Sequence, residues 1–307
     1  MTPVTVRVPA KVNLQLSVGP LGSDGYHELV TVFQAVSLFD EVAVHPDSGT
    51  SVSVTGVDAG SVPGGPANLA VRAVHALAAA CRPRPGNAAV RIEISKRIPV
   101  AAGLAGGSAD AAATLVACNE QWQAGLNQAE LAEVAASLGS DVPFALAGAT
   151  AVGQGRGERL TAALTSGTYH WVLAFAAGGL STPEVYAACD RLRAAPDGTP
   201  APVLDTGLMA ALRSGNAAAV GPLLSNDLQP AALSLRPELR RTLAAGRELG
   251  ALGGIISGSG PTCMFLAADA DRARELAVSL TGDGVCQSVA QVQGPVTGAA
   301  VVAAERG

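Results

Sequence analysis

Alternating apolar and polar positions in VTVRVPAKVNLQLSV (residues 4–18), rich in β-branched side chains, predict strand structure. Pro9 should break it into two pieces, because proline cannot donate to a ladder. GPLGSDGY (19–26) is a turn cluster, and ELVTVFQAVSLFDEVAVH (28–45) returns to strand character. After the loop GVDAGSVPGGPAN the pattern changes to helical spacing in NLAVRAVHALAAAC, with Asn68 placed as N-cap. RPRPGN then turns the chain into a strand, AAVRIEIS. KRIPVAAGLA reads as a loop and GGSADAAATLVACNEQW as a helix. NQAELAEVAASLG is a helix closed by Gly139, and SDVPFAL a short third one.

Strand patterns recur in ATAVGQG and HWVLAFAA. From Pro183 helices dominate, interrupted by the loop AAPDGTPAPVLDTG. A strand pair around GGIISGSGPTCMFLAA, a helix near DRARELAVSL and a final strand pattern close the chain. Strands cluster early and helix and strand alternate late, which favours α+β over a doubly wound sheet. A chain of 307 residues has room for two domains, and the boundary falls near 155–165, giving 1–160 and 161–307.

Composition narrows the function classes. Apolar residues make up 49% and charged residues 15%, as in a globular protein, and no apolar run is long enough to span a bilayer. The net charge of −5 argues against a nucleic-acid binder. MTPVTVRVPAK does not read as a signal peptide. Five dispersed cysteines without a CxxC pair read as reduced thiols, and the expected compartment is the cytoplasm. Only Lys11 and Lys96 are lysines; the other eighteen of the 20 basic residues are arginines. Any role that needs a compact ammonium falls on those two.

The common nucleotide and hydrolase signatures are absent. Neither lysine follows a glycine as a Walker loop requires, GQGRG fails the dinucleotide pattern, and there is no GxSxG elbow. Four other stretches could carry chemistry. PVAAGLAGGSADAAA (99–113) places glycines at the mouth of a helix. It reads either as close helix packing or as a cradle where bare amides meet a phosphate, with Ser108 suited to a phosphate oxygen or Mg²⁺ and Lys96 able to add charge. PAKVNLQLSVGPLGSDGYHEL puts Lys11 and Asn13 on one strand face and Tyr26 and His27 after a turn. In LGSDVPFALAG, Asp141 is either a plain N-cap or a carboxylate able to take a proton. SGSGPT is either a hairpin turn or a second phosphate-facing loop, and Cys263 beside it is a small buried hydrophobe.

In this order the four pieces resemble the GHMP kinase superfamily of small-molecule kinases. The resemblance covers nearly the whole chain. PAKVNLQLSVGPLGSDGYHEL with TVFQAVSLFDEV, LGSDVPFALAG and STPEVY is similar to the branch acting on a cytidine-diphosphate-linked methylerythritol in the non-mevalonate isoprenoid route. That resemblance implies an N-terminal ATP-binding domain, a C-terminal α/β domain and an active site in the cleft between them. It implies ATP and Mg²⁺, a small-molecule substrate, and no nucleic-acid or membrane partner.

By position, Asp141 would be the general base and Lys11 its orienting partner. Asn13, Tyr26, His27, Thr182 and Tyr186 would hold the substrate, with cytosine between Tyr26 and Tyr186. Asn68 and Lys96 would lie near the adenosine. Pro99, Val100, Ala101, Ala102, Gly103, Leu104, Ala105, Gly106, Gly107, Ser108 and Ala109 would wrap the phosphates. Ala105 stands where many members have glycine, so the backbone there should avoid positive φ or the loop should differ. Tyr186 stands where some have phenylalanine. A mevalonate- or homoserine-type kinase, or an inactive relative, is the alternative.

Overall fold

The computed structural model describes residues 3–81, 88–193 and 199–302. The turn at RPRPGN and the start of the 194–207 loop lie outside the described residues. Strands β1 (Val4–Leu21), β2 (His27–Pro46) and β3 (Ser51–Gly56) come first, followed by helix α1 (Leu69–Cys81) and β4 (Val90–Lys96). Helices α2 (Gly106–Trp122), α3 (Gln128–Leu138) and α4 (Val142–Ala147) lead into the hairpin β5 (Thr150–Gly155) and β6 (Arg159–Ala162). Next come β7 (Tyr169–Phe175), α5 (Thr182–Leu192), α6 (Thr206–Ser214) and α7 (Ala217–Val220). Then follow β8 (Ser225–Asn226), α8 (Gln229–Leu235), α9 (Leu239–Glu248), β9 (Gly253–Ile256) and β10 (Cys263–Ala267). Helix α10 (Ala270–Gly282), β11 (Ser288–Gly294) and β12 (Ala300–Val301) complete the order.

Two sheets organise these elements. The larger has eight strands, with β12, β1, β2, β4 and β3 side by side, β5 and β6 continuing from β2, and β8 alongside β1. The smaller runs β11-β7-β10-β9 and is wholly antiparallel. The order is mixed and the fold is α+β. Late strands β8 and β12 return to flank the first strand of the chain.

Pro9 does not break β1. The strand runs on through it, and the ladder with β2 absorbs the missing donor as a register shift between Pro9 and Ala10. Helix α2 is buried almost all round, and its alanines let it pack on β1 and β2 and against α1 and α4. One core lies between the large sheet and these helices; another gathers α5, α8, α9 and α10 around the small sheet. No helix among the described residues is long and apolar enough to cross a membrane.

Candidate active site

A cavity of about 1320 Å³ is lined by β1, the loop before α2, the segment before α4, α5 and the turn between β9 and β10. Lys11 is its hub. The strand face that carries Lys11 and Asn13 brings Nζ to 2.7 Å from Asn13 Oδ1. The same ammonium donates to the Gly103 carbonyl at 3.2 Å and lies 3.8 Å from Asp141 Oδ2. Asn13 is itself held, donating to Thr31 Oγ1 at 2.9 Å, and Thr31 donates to the Gln15 carbonyl. Burial pulls the Lys11 pKa below its ordinary value, and the charge of Asp141 opposes that shift. Asp141 occupies the N-cap position of α4, yet its side chain makes no capping bond. Its carboxylate is left to face Lys11 and the cavity.

The loop before α2 is strained and closely fitted. Gly103 has φ +77°, and a Cβ there would sit 2.2 Å from the Ser257 carbonyl oxygen, so only glycine fits. Ser257 Oγ donates to the Gly103 carbonyl, the same oxygen that accepts from Lys11. Of the two alternatives for Ala105, avoidance of positive φ is overturned: it takes φ +59°, and Ala101 takes +52°. An L-residue in this region carries steric strain of about 1–2 kcal/mol. Pro99 to Gly103 and Ala105 to Ser108 line the cavity, whereas Leu104 and Ala109 belong to the core. In PVAAGLAGGSADAAA the alanine end packs the helix, as the first reading has it, while the glycine end lines the cavity.

The two residues expected near the adenosine both have side-chain partners within the protein. Asn68 is buried away from the cavity; its Oδ1 accepts from Ala70 N, and its amide donates to the Pro63 carbonyl. Its bond to Pro63 holds the wall that Pro63 and Leu69 present to the cavity. Lys96 lines the cavity floor, but its ammonium bonds both Asp40 and Asp110 and is almost wholly buried. Its charge is already neutralised, so it does not supply a free cation to phosphates. Burial works against that charge, but Asp110 and Asp40 outweigh it and raise the Lys96 pKa. Asp40 also accepts from the backbone of Arg97 and Ile98. Asp110 has one oxygen without a hydrogen bond, and burial, opposed by Lys96 and reinforced by Asp40, pushes its pKa up to about 7.

At the other end, His27 Nδ1 lies 2.8 Å from the Gly19 carbonyl, which fixes the proton there and leaves Nε2 3.4 Å from Asp190. The imidazole stacks on Tyr186 with centroids 5.2 Å apart, so one face of that ring is taken. Tyr26 is half exposed, with the Arg156 guanidinium 3.7 Å over its ring and Asp24 pairing with Arg156. Thr182 Oγ1 lies 2.9 Å from Ser259 Oγ in the glycine turn, so SGSGPT is both a hairpin and a wall of the cavity. Burial, then the charges of Asp141 and Cys189, raise the Tyr186 phenol and keep it neutral.

Asp40, Asp110, Thr31, Ser257, Ser259 and Asp190 were not singled out from the sequence. Asp110 had a signal, a carboxylate just past the first turn of an otherwise alanine-rich helix, two places after Ser108. Asp40 had none, since its partner lies 56 residues away.

A buried lysine facing a carboxylate, beside a strained glycine loop that opens a helix, suits phosphoryl transfer, and the family matches make the chain a small-molecule kinase of the GHMP superfamily. The sequence matches the description "GHMP kinases N terminal domain" over residues 68–149 and "GHMP kinases C terminal" over 208–285. It is 58% identical over 302 residues to a 4-diphosphocytidyl-2-C-methyl-D-erythritol kinase of Rhodococcus jostii, covering 98% of this chain and 95% of that one. A kinase of the same name from Thermobifida fusca is 55% identical over 309 residues, covering 98% and 99%. A crystal structure of a 4-(cytidine 5'-diphospho)-2C-methyl-D-erythritol kinase superposes with a TM-score of 0.75 at 36% identity, covering 94% of this chain and 98% of that one. The chain belongs to the family of 4-diphosphocytidyl-2-C-methyl-D-erythritol kinases. It is an enzyme, a phosphotransferase that uses ATP and acts on a small molecule.

Proposed function

We propose that the chain transfers the γ-phosphoryl group of ATP to the 2-hydroxyl of 4-diphosphocytidyl-2-C-methyl-D-erythritol, in the cytoplasm, on the non-mevalonate route to isopentenyl diphosphate. The observation that carries this reading is the Lys11–Asp141 contact of 3.8 Å, set between the glycine loop and the aromatic end of one continuous cavity. Asp141 takes the hydroxyl proton as the acceptor oxygen bonds to the γ-phosphorus and the bond to the β-phosphate oxygen breaks. Lys11, anchored by Asn13 and the Gly103 carbonyl, fixes the carboxylate and offsets developing charge. Gly106, Gly107 and Ser108 present backbone amides at the start of α2, where an anion is favoured. Tyr26, His27, Thr182 and Tyr186 hold the cytidine end, using the face of Tyr186 that His27 leaves open.

The donor set suits a magnesium ion that arrives on the nucleotide. No group of three or more His, Cys, Asp or Glu among the described residues would hold an ion alone, and Ser108 and Asp141 offer hard oxygen donors at the loop. When bound, Mg²⁺ neutralises charge on the transferring phosphates. Residues 1–160 and 161–307 form the two halves of the site, with β8 and β12 crossing back.

The test is an acceptor comparison. With Mg-ATP, ADP release should follow addition of the diphosphocytidyl substrate and not of mevalonate or homoserine. Turnover with either of the latter and none with the former would reject the reading.

A further inference from the structure

Four lysine or arginine side chains line the cavity: Lys11, Arg72, Lys96 and Arg156. Four carboxylates line it too, Asp110, Asp141, Glu158 and Asp190, so the formal charges of these eight cancel. A nucleoside triphosphate nevertheless has to settle here, and a helix dipole contributes only about 0.3–1 kcal/mol. Three of the four cations already have carboxylate partners. Lys11 faces Asp141, Lys96 lies between Asp40 and Asp110, and Arg156 pairs with Asp24 while covering Tyr26. Arg72 differs. Its guanidinium has no hydrogen bond or ion pair to any described residue, and it is exposed at the cavity wall one turn into α1.

That wall is joined to the glycine loop. Asn68, which caps α1, bonds the Pro63 carbonyl, and Asp58, at the start of the same segment, accepts from Val100 N at 3.1 Å. The 58–72 segment and the first residues of the loop therefore form one side of the cavity. We propose that Arg72 is the side chain that pairs with the polyphosphate of the phosphoryl donor, the role that the sequence suggested for Lys96. A guanidinium presents a planar fork of donors that matches phosphate oxygens, and an unpaired one has no existing contact to break. The proposal rests on the reading that the loop end of the cavity takes ATP.

Direct binding by calorimetry tests it without an acceptor, using Mg-ATP, inorganic triphosphate and adenosine against the wild type, Arg72→Gln and Arg72→Lys. Arg72→Gln should weaken ATP and triphosphate by about tenfold, the scale of one charge-assisted contact, and leave adenosine unchanged. Arg72→Lys should recover part of the loss, and added salt should shrink the difference. In turnover, KM for ATP should rise more than kcat falls. Equal weakening of adenosine and ATP would place Arg72 at the base or ribose and overturn the proposal, as would unchanged binding of all three. Failure of the wild type to bind ATP at all would instead reject the functional reading.

Discussion

Replacing Lys96 by Met should destabilise the buried charge cluster that lies beneath the glycine loop. In the native protein one ammonium serves two carboxylates, with Asp40 fully buried and the Asp110 side chain only 5% exposed. Removing it leaves both carboxylates buried without their cation. Breaking a buried ion pair from one side costs about 3–5 kcal/mol. Asp40 keeps its two backbone donors, so the burden falls on Asp110. The Asp110 pKa, pushed up to about 7 by burial, lies above its unfolded value, so unfolding releases a proton at intermediate pH. Native stability therefore declines as pH rises from about 4 towards 7, because the unfolded chain ionises Asp110 freely and the folded chain resists it. Without Lys96 the folded pKa climbs further, so the penalty should be large at pH 8 and smaller at pH 5. Urea unfolding of both proteins at the two pH values measures this. A loss below about 1 kcal/mol at pH 8, or one equal at both pH values, would refute the charge argument. Asp110→Asn is the companion: it should cost far less than Lys96→Met and flatten the pH dependence.

Asp141→Asn should lower kcat by roughly 10²–10⁴-fold while calorimetric ATP binding stays within a few-fold, and retention of a tenth of the wild-type rate would remove Asp141 as base. Ala105→Gly relieves an alanine at φ +59° but adds freedom to the unfolded chain; the net should be a gain of a few tenths to about 1 kcal/mol in thermal unfolding. A loss of stability would mean that the Ala105 methyl group packs better than its surroundings indicate. Gly103→Ala should cost more than about 2 kcal/mol and abolish turnover, since the new Cβ meets the Ser257 carbonyl at 2.2 Å; a stable, active variant would show that the loop can move away.

Local chemistry explains what was legible before the structure. The bounds of α2 follow from composition alone, and α3 ends at Gly139 as its sequence suggests, while the Asn127–Glu130 capping box at its start was not singled out. The Lys11–Asn13 pair came from strand periodicity and holds at 2.7 Å. The readings that failed depended on partners far along the chain. Whether Lys96 is free or neutralised depends on Asp40, on another strand, and on Asp110, across the loop. Pro9 looked like a break because a single strand is judged alone, while the ladder with β2 spreads the irregularity over both partners. The positive φ at Ala105 comes two residues after the Gly103 carbonyl that Ser257 and Lys11 both hold, and no propensity of alanine announces it.

Late segments finish the first sheet. Ala300 and Val301 pair with Arg7 and Val6, and just before them Val296 bonds to Ala35 and Ala149, while Ala299 bonds to Ala145 of α4. The helix that begins beside Asp141 is thus braced by residues that leave the ribosome long after it does. A nascent chain cut short before Val296 carries Lys11, the glycine loop and Asp141 and still lacks the strap that seats them. Truncation before Val296 is therefore expected to loosen α4 and the seat of Asp141 even though it removes none of the side chains that line the cavity.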